Sequence, residues 1–199
     1  VSDWGSDIIY VVDSAGGMMP EELTLYYDLL KNAIPDVKLG FHGHDNLGLG
    51  IANALKATDL GYDFVDMSLQ GFGRSAGNTC SERYISALML KGVDSGFDPI
   101  DIMDIAEKHI QPLITKRGVD SIDTIAGLAL FHSSYMPIIE KYSRKYGVDP
   151  RRLIVAVCEE NKADAPKELV ERKAKELKNS RMKGNWKQFY SHYYGGEQE

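Results

Sequence analysis

Two histidines separated by a single residue are the most distinctive candidate functional residues of the chain. His42 and His44 lie in the run FHGHDN at residues 41–46, where a predicted strand ends. Side chains at positions i and i+2 of a strand project from the same face, so we expect both imidazoles to point the same way, with Gly43 leaving the approach open. Two imidazoles placed in this way suit one divalent metal ion. The alternative is a packed or hydrogen-bonded pair with a structural role, but a strand end is where α/β folds place their sites, which favours the metal.

Polar side chains also follow the strands predicted on either side of this one. Because the ends of adjacent parallel strands meet at one edge of a sheet, we expect these residues to lie near the two histidines. They are Asp13 and Ser14 after the first strand and Asp66, Ser68 and Gln70 on one face of the third.

A glycine-rich loop, GFGRSAG at residues 71–77, follows the third strand and precedes Asn78 and Thr79. The loop lacks the Lys-Ser/Thr pair of a nucleotide-binding P-loop, so the sequence gives little support for a phosphate cradle. One interpretation is a flexible connection with Asn78 or Thr79 as the N-cap of the next helix. The other is functional: the Asn78 amide oxygen approaches the metal, and Arg74 meets an anionic substrate.

Three consecutive β-loop-α units position these residues. The β-branched and helical patterns predict strands over 7–13, 37–44 and 64–69 and helices over 20–32, 47–60 and 79–91. Such repeats indicate parallel strands with right-handed crossovers. Three units cannot close a (β/α)8 barrel, which needs eight, so they form either a small open sheet or the end of a barrel.

Beyond Gly92 the pattern becomes helical, with helices predicted over 98–109, 122–146, 150–160 and 165–177. We therefore predict an α/β fold in which residues 1–95 are the last three β/α units of a partial TIM barrel. Residues 96–179 are expected to form an α-helical module, and residues 180–199 a loosely ordered tail.

Composition excludes several classes of protein. The 199 residues are 43% hydrophobic and 26% charged, as in ordinary globular proteins. A net charge of −6 disfavours a nucleic-acid-binding face, and no apolar run approaches the roughly 20 residues of a membrane span. Two distant cysteines argue against a disulfide framework, so we expect a reducing, cytoplasmic setting.

The run GFHGHDNLGLGIANALKATDLGYDFVDMSLQGFGRSAGNT at residues 40–79 resembles the metal-binding end of the DRE-TIM (HMGL-like) metallolyases. This superfamily holds pyruvate aldolases, hydroxymethylglutaryl-CoA lyase and the isopropylmalate and homocitrate synthases. The DSAG at residues 13–16 fits the preceding strand of these barrels. Residues 128–153, LALFHSSYMPIIEKYSRKYGVDPRRL, look like the helical C-terminal region of the 4-hydroxy-2-oxovalerate aldolases.

The resemblance implies roles for particular residues. His42 and His44 match the two metal-ligating histidines, and Asn78 matches a site-lining asparagine that is a ligand in some members. Ser14 and Arg74 are assigned to substrate binding. His132 falls where the aldolases have a catalytic tyrosine and is the candidate catalytic residue, although the sequence alone places it in a helix as a packed histidine. The implied cofactor is a divalent metal, Mn or Mg.

The implied activity is that of a class II pyruvate aldolase, which makes or breaks a C–C bond through a metal-stabilised pyruvate enolate. The family's first-strand motif, near Asp-Thr-Thr-Leu-Arg-Asp-Gly, has no match in residues 1–36. We therefore expect the C-terminal part of such an enzyme, incomplete as this chain alone. The alternatives are a non-catalytic binding or assembly module derived from such an aldolase and a fragment of another lyase or synthase of the group.

The resemblance also suggests partners. We expect a small 2-keto acid as substrate and, as a protein partner, an acylating aldehyde dehydrogenase or a chain that supplies the N-terminal half of the barrel. Neither nucleic acid nor membrane is expected. Unpaired strand edges predict an oligomer.

Overall fold

A computed structural model describes residues 5–115 and 120–179. The tail predicted at residues 180–199 lies outside the described residues, and the domain boundary near residue 95 stays a prediction. The described elements, in chain order, are β1 (Ile8–Asp13), α1 (Pro20–Ala33), β2 (Lys38–Gly43), α2 (Gly50–Leu60), β3 (Phe64–Asp66), α3 (Ser81–Leu90), α4 (Pro99–His109), α5 (Ser121–Ala129), α6 (Met136–Tyr146), α7 (Pro150–Cys158) and α8 (Lys167–Asn179).

The three strands form a parallel sheet in the order β1-β2-β3, as the repeated units predict. Val12 lies opposite His42, and His42 lies opposite Asp66, so the three strands are in register beside the candidate site. The carboxyl ends of the strands therefore meet at one edge, where the loops that follow them are neighbours.

The two faces of the sheet differ in their surroundings. On one face Leu39 and Phe41 are fully buried against helix residues, including Leu23 of α1 and Ala57 of α2. On the other face, which we call the open face, the apolar side chains remain 37–51% exposed. The open face carries Ile8, Tyr10, Val12, Phe64, His42 and Asp66.

The end of the third unit differs from the prediction. β3 stops at Asp66, and the chain then makes a short 3-10 turn over Leu69–Gly71 in which Gln70 has a φ of 58°. The N-cap of α3 is Cys80, so the prediction that Asn78 or Thr79 caps this helix is wrong. Both side chains are held by the loops instead: Asn78 bonds Phe72, and Thr79 lies 3.3 Å from the carbonyl oxygens of Gly43 and Gly50.

The prediction of a single helix over 122–146 is also wrong. α5 ends where Leu130 adopts a left-handed conformation with a φ of 55°, and α6 begins after a 3-10 turn over Ser133–Tyr135. His132 lies in the connection between the helices, where its side chain accepts a hydrogen bond from the Ser134 N–H. Pro137 stands in the first turn of α6, where its missing N–H costs nothing.

The helical part has its own core, built from buried residues of α5, α6, α7 and α8. Its members include Ile122, Met136, Ile139, Leu153 and Val170. α4 instead packs against α3 of the β/α part. Within residues 5–115 and 120–179 no single helix is long and apolar enough to cross a membrane. One pair of segments, 121–129 and 133–146, meets the length and composition of a span when taken together, but the pair is bent by 118°.

The α5 helix joins the two parts because it lies on the loops that follow β1 and β2. A Cβ atom added to Gly17 would lie 2.3 Å from the Gly127 carbonyl oxygen. A Cβ atom added to Gly127 would lie 2.7 Å from Leu47 Cγ and 3.3 Å from Asn46 Cβ. The absence of side chains at Gly17 and Gly127 therefore lets the helix approach the strand ends closely.

Candidate metal and substrate site

The two histidines are brought together at the carboxyl end of β2. His42 projects from the open face of the sheet, while His44 follows the strand, pairs with Asn78 in an isolated antiparallel bridge and is buried. Their ring centroids are 5.4 Å apart, with an interplanar angle of 74°. Nitrogen-to-metal distances of about 2 Å allow two rings on one ion to have centroids up to about 6.5 Å apart, so this spacing fits one shared ion.

The pKa of His44 is lowered to about 4, mainly by burial and further by the neighbouring His42 and the charge of Arg74. The nearby backbone at Arg74 and Gly77 opposes this with a smaller effect. The ring is therefore neutral at pH 7, which is the form that ligates metals. Its Nδ1 atom is buried and has no hydrogen-bond partner among the described residues.

Asn78 presents a second unpaired polar atom beside His44. Its Nδ2 donates to the Phe72 carbonyl oxygen at 3.1 Å, but its buried Oδ1 has no partner among the described residues. Gly73 allows the loop to close over this amide, since a Cβ atom there would lie 2.6 Å from Nδ2. A buried acceptor that is left unsatisfied costs about 1–3 kcal/mol. An imidazole nitrogen and an amide oxygen in this state are a donor set that fits a divalent cation.

Three aspartates near the strand ends have different surroundings. Both carboxylate oxygens of Asp13 accept loop N–H groups, from Gly17 at 3.1 Å and Met18 at 3.0 Å, and burial raises its pKa in spite of these bonds. Asp45 accepts the Gly50 N–H at the start of α2. Only Asp66 contacts a candidate ligand, with its Oδ2 3.3 Å from His42 Nδ1. The described parts of the chain contain no group of three or more His, Cys, Asp and Glu side chains able to hold a metal.

The charge of Arg74 acts on both His44 and His132. Burial lowers the pKa of His132, and the charge of Arg74 lowers it further, as it does that of His44. The guanidinium is therefore within electrostatic reach of both rings. Ser14 is half-buried directly after Asp13, in the loop that follows β1. The structure thus places Arg74 and Ser14 in the loops at the same edge of the sheet as the histidine pair.

The sequence interpretation missed the residues that hold these loops together. Asn46 is buried, its Nδ2 donates to the Ala15 carbonyl oxygen at 2.9 Å, and its Oδ1 accepts the Ala76 N–H at 3.0 Å. It therefore connects the loops that follow all three strands. The buried Glu82 carboxylate similarly accepts the backbone N–H and the Nε2 of Gln70. The available sequence signal for Asn46 was the polar pair Asp45-Asn46 directly after the histidines.

Comparison with known proteins identifies the family of the chain. A family profile described as HMGL-like matches residues 1–108. The 4-hydroxy-2-oxovalerate aldolase of Desulfitobacterium hafniense is 35% identical over 166 residues, which are 81% of this chain and 50% of that protein. The enzyme of the same name from Thermus thermophilus is 34% identical over 176 residues, which are 88% of this chain and 51% of that protein.

Solved structures show the same fold. The carboxyl transferase domain of Rhizobium etli pyruvate carboxylase superimposes with a TM-score of 0.69 at 21% identity, over 89% of this chain and 32% of that one. The chain spans about half the length of the curated relatives it matches.

Proposed function

The chain belongs to the HMGL-like family, and we propose that it is the C-terminal part of a divalent-metal-dependent aldolase that acts on a 2-keto acid, similar to 4-hydroxy-2-oxovalerate aldolase. The observation that carries this proposal is a pair of buried atoms beside the His42 ring, His44 Nδ1 and Asn78 Oδ1, which have no hydrogen-bond partner in the described part of the chain. A packed pair of structural histidines would have its buried nitrogens satisfied.

In this proposal His42, His44 and Asn78 hold the ion. The ion, Mn or Mg, would act as a Lewis acid on the keto acid and stabilise the negative charge that develops as the C–C bond breaks or forms. Arg74 would bind the substrate carboxylate, for which a guanidinium offers a planar pair of donors. Ser14 would add a hydroxyl group at the end of β1.

His132 would hold a proton for the reaction. Its Nδ1 accepts the Ser134 N–H at 3.2 Å and lies 2.6 Å from the Ser134 hydroxyl, so the neutral ring carries its proton on Nε2. Since burial and Arg74 lower its pKa, the ring is neutral at pH 7 and presents an N–H donor. It could therefore donate to a developing alkoxide at the position where the aldolases have a catalytic tyrosine.

The proposed site would need a further ligand beyond these residues, and the sheet suggests where it lies. Two neutral imidazoles and one amide leave the double charge of the ion without a carboxylate. The apolar open face beside them resembles the interior layer of a barrel. We propose that the missing strands cover the open face and supply the carboxylate, from another polypeptide or from a longer form of this one.

The metal part of the proposal can be tested by electron paramagnetic resonance titration with Mn(II). We expect weak binding at one site by the chain alone, and its loss in His42→Ala and in His44→Ala. His109→Ala, which removes a histidine at the end of α4, is the matched control. Binding that survives both substitutions in the pair would contradict the proposed site.

The catalytic part needs the rest of the fold. The chain should be combined with the N-terminal half of a relative such as the Thermus thermophilus enzyme, and pyruvate release from 4-hydroxy-2-oxovalerate measured with and without Mn(II). We expect metal-dependent release from the mixture and none from either part. If an assembled mixture binds Mn(II) through His42 and His44 yet releases no pyruvate, the chain is a binding or assembly module instead.

A further inference from the structure

We propose that Tyr10 and Asp66 form a cross-strand pair that orients His42, so that His42 binds its ligand through Nε2. The three side chains come from three neighbouring strands and lie together on the open face. This inference rests on the proposed metal site, and it assigns positioning roles to two residues outside the ligand set.

The Tyr10 ring lies across the middle strand, over Gly40, on the side of Asp66. Gly40 of β2 lies opposite Tyr10 of β1, and a Cβ atom added to Gly40 would lie 2.4 Å from Cε1 of the tyrosine ring. The ring therefore occupies the space that any other residue at position 40 would fill. Burial raises the pKa of the Tyr10 phenol. The nearby Asp66 carboxylate raises it further, both through its charge and as a hydrogen-bond acceptor.

Asp66 in turn contacts His42. Its Oδ2 lies 3.3 Å from His42 Nδ1, and the two residues are register partners on β3 and β2. A carboxylate can only accept hydrogen bonds, so this contact places the proton of a neutral His42 on Nδ1 and the free lone pair on Nε2. In the proposed pair the Tyr10 hydroxyl donates to the same carboxylate and limits its rotation.

This arrangement is what a metal-ligating histidine requires. A ligating imidazole usually donates its second N–H to a carboxylate or a carbonyl, which fixes the tautomer and the ring orientation. In His44 it is the Nδ1 atom proposed to face the ion that has no hydrogen-bond partner among the described residues, and burial holds this ring in place. The two rings of the pair would therefore be held by different means.

The tautomer of His42 is a direct test that needs neither metal nor activity. Long-range ¹H–¹⁵N NMR spectra of the metal-free chain, at a pH where His42 is neutral, should show the Nδ1–H form in the wild type. Asp66→Ala should shift His42 toward the Nε2–H form, Asp66→Asn should shift it less, and Tyr10→Phe least. Asp59→Ala is the matched control, because it removes an exposed carboxylate that pairs with Lys91.

Mn(II) titration of the same variants supplies the second readout. Loss of such an outer partner typically weakens metal binding by about 10–100-fold, which we expect for Asp66→Ala but not for Asp59→Ala. An Nε2–H tautomer in the wild type would overturn the inference even if Mn(II) binds, and so would unchanged affinity in Asp66→Ala. An Nδ1–H tautomer that depends on Asp66, without any Mn(II) binding, would uphold the pair and contradict the proposed metal site.

Discussion

Gly17 and Gly127 are in contact where the helical part of the chain meets the sheet, with no room for a side chain on either residue. A Cβ atom on Gly17 would lie 2.3 Å from the Gly127 carbonyl oxygen. Gly17 belongs to the loop after β1 and Gly127 to α5. The connection that carries His132 follows α5 directly, so this contact determines where His132 lies relative to the strand ends.

Gly127→Ala should lower the free energy of unfolding by about 1–2 kcal/mol. The added Cβ atom would lie 2.7 Å from Leu47 Cγ, and overpacking of this kind costs about 1–3 kcal/mol. In an isolated helix the same change would stabilise by about 1 kcal/mol. The sign measured by urea denaturation therefore reports whether α5 is docked, and stabilisation would contradict the packing. Leu128→Ala, on the exposed side of α5, should have little effect.

Asn46 should prove more important for stability than its position in a loop suggests. Asn46→Ala leaves the Ala15 carbonyl oxygen and the Ala76 N–H without their partner, which should cost about 1–3 kcal/mol. Asn46→Asp keeps an acceptor for Ala76 but loses the donor to Ala15, so it cannot restore stability. Thermal unfolding of the metal-free chain measures both. An Asp variant as stable as the wild type would show that the bond to Ala15 contributes nothing.

The sequence predicted the features of this site that follow from the spacing within one strand or from the repeated β-loop-α units. The spacing of His42 and His44 is a local property, and the parallel topology that brings the strand ends together follows from the repeated β-loop-α units. Asn46 could not be assigned because its two bonds reach residues about 30 positions away on either side. The break at Leu130 was missed because leucine seldom adopts a positive φ, although Pro137 was a readable sign that a new helix begins.

The metal-free chain should lose stability as the pH falls below 6.5. The pKa of His44 is about 4 in the folded chain against 6.5 ordinarily, so between these values the unfolded chain binds more protons. The contribution is complete above pH 6.5, is lost progressively as the pH falls to about 4, and amounts to about 3 kcal/mol. Urea denaturation at several pH values, in the presence of a chelator, measures it. His44→Gln should flatten the profile in this range, and an unchanged profile would contradict the shift.

Arg74 should act on two histidines at once. Its positive charge disfavours protonation of both His44 and His132, so Arg74→Gln should raise the pKa of both imidazoles. NMR titration of the histidine ring protons measures the change. Lys91→Gln, which removes an exposed cation paired with Asp59, serves as the control and should leave both values unchanged. A shift confined to one ring would place the guanidinium outside the space between them.

The last prediction concerns association through the open face and the edge of β1. β1 is an edge strand of the described sheet, and on its open face Ile8, Tyr10 and Val12 are 39%, 38% and 51% exposed. Apolar surface contributes about 25 cal/mol per Å² when it is buried, so covering a few hundred Å² amounts to several kcal/mol. We therefore expect dimers or larger species that persist on dilution to micromolar concentration.

Val12→Lys distinguishes this surface from the rest of the molecule. A charged side chain at Val12, the most exposed position of the row, opposes burial of the face and disfavours edge pairing, as charges on natural edge strands do. Light scattering should show a shift toward the monomer. Leu25→Lys, at a position 59% exposed on α1, changes the same charge on a different surface and should leave the association intact. A wild-type chain that is monomeric at micromolar concentration and still unfolds cooperatively would contradict the prediction, because the open face would then be stable in water without a partner.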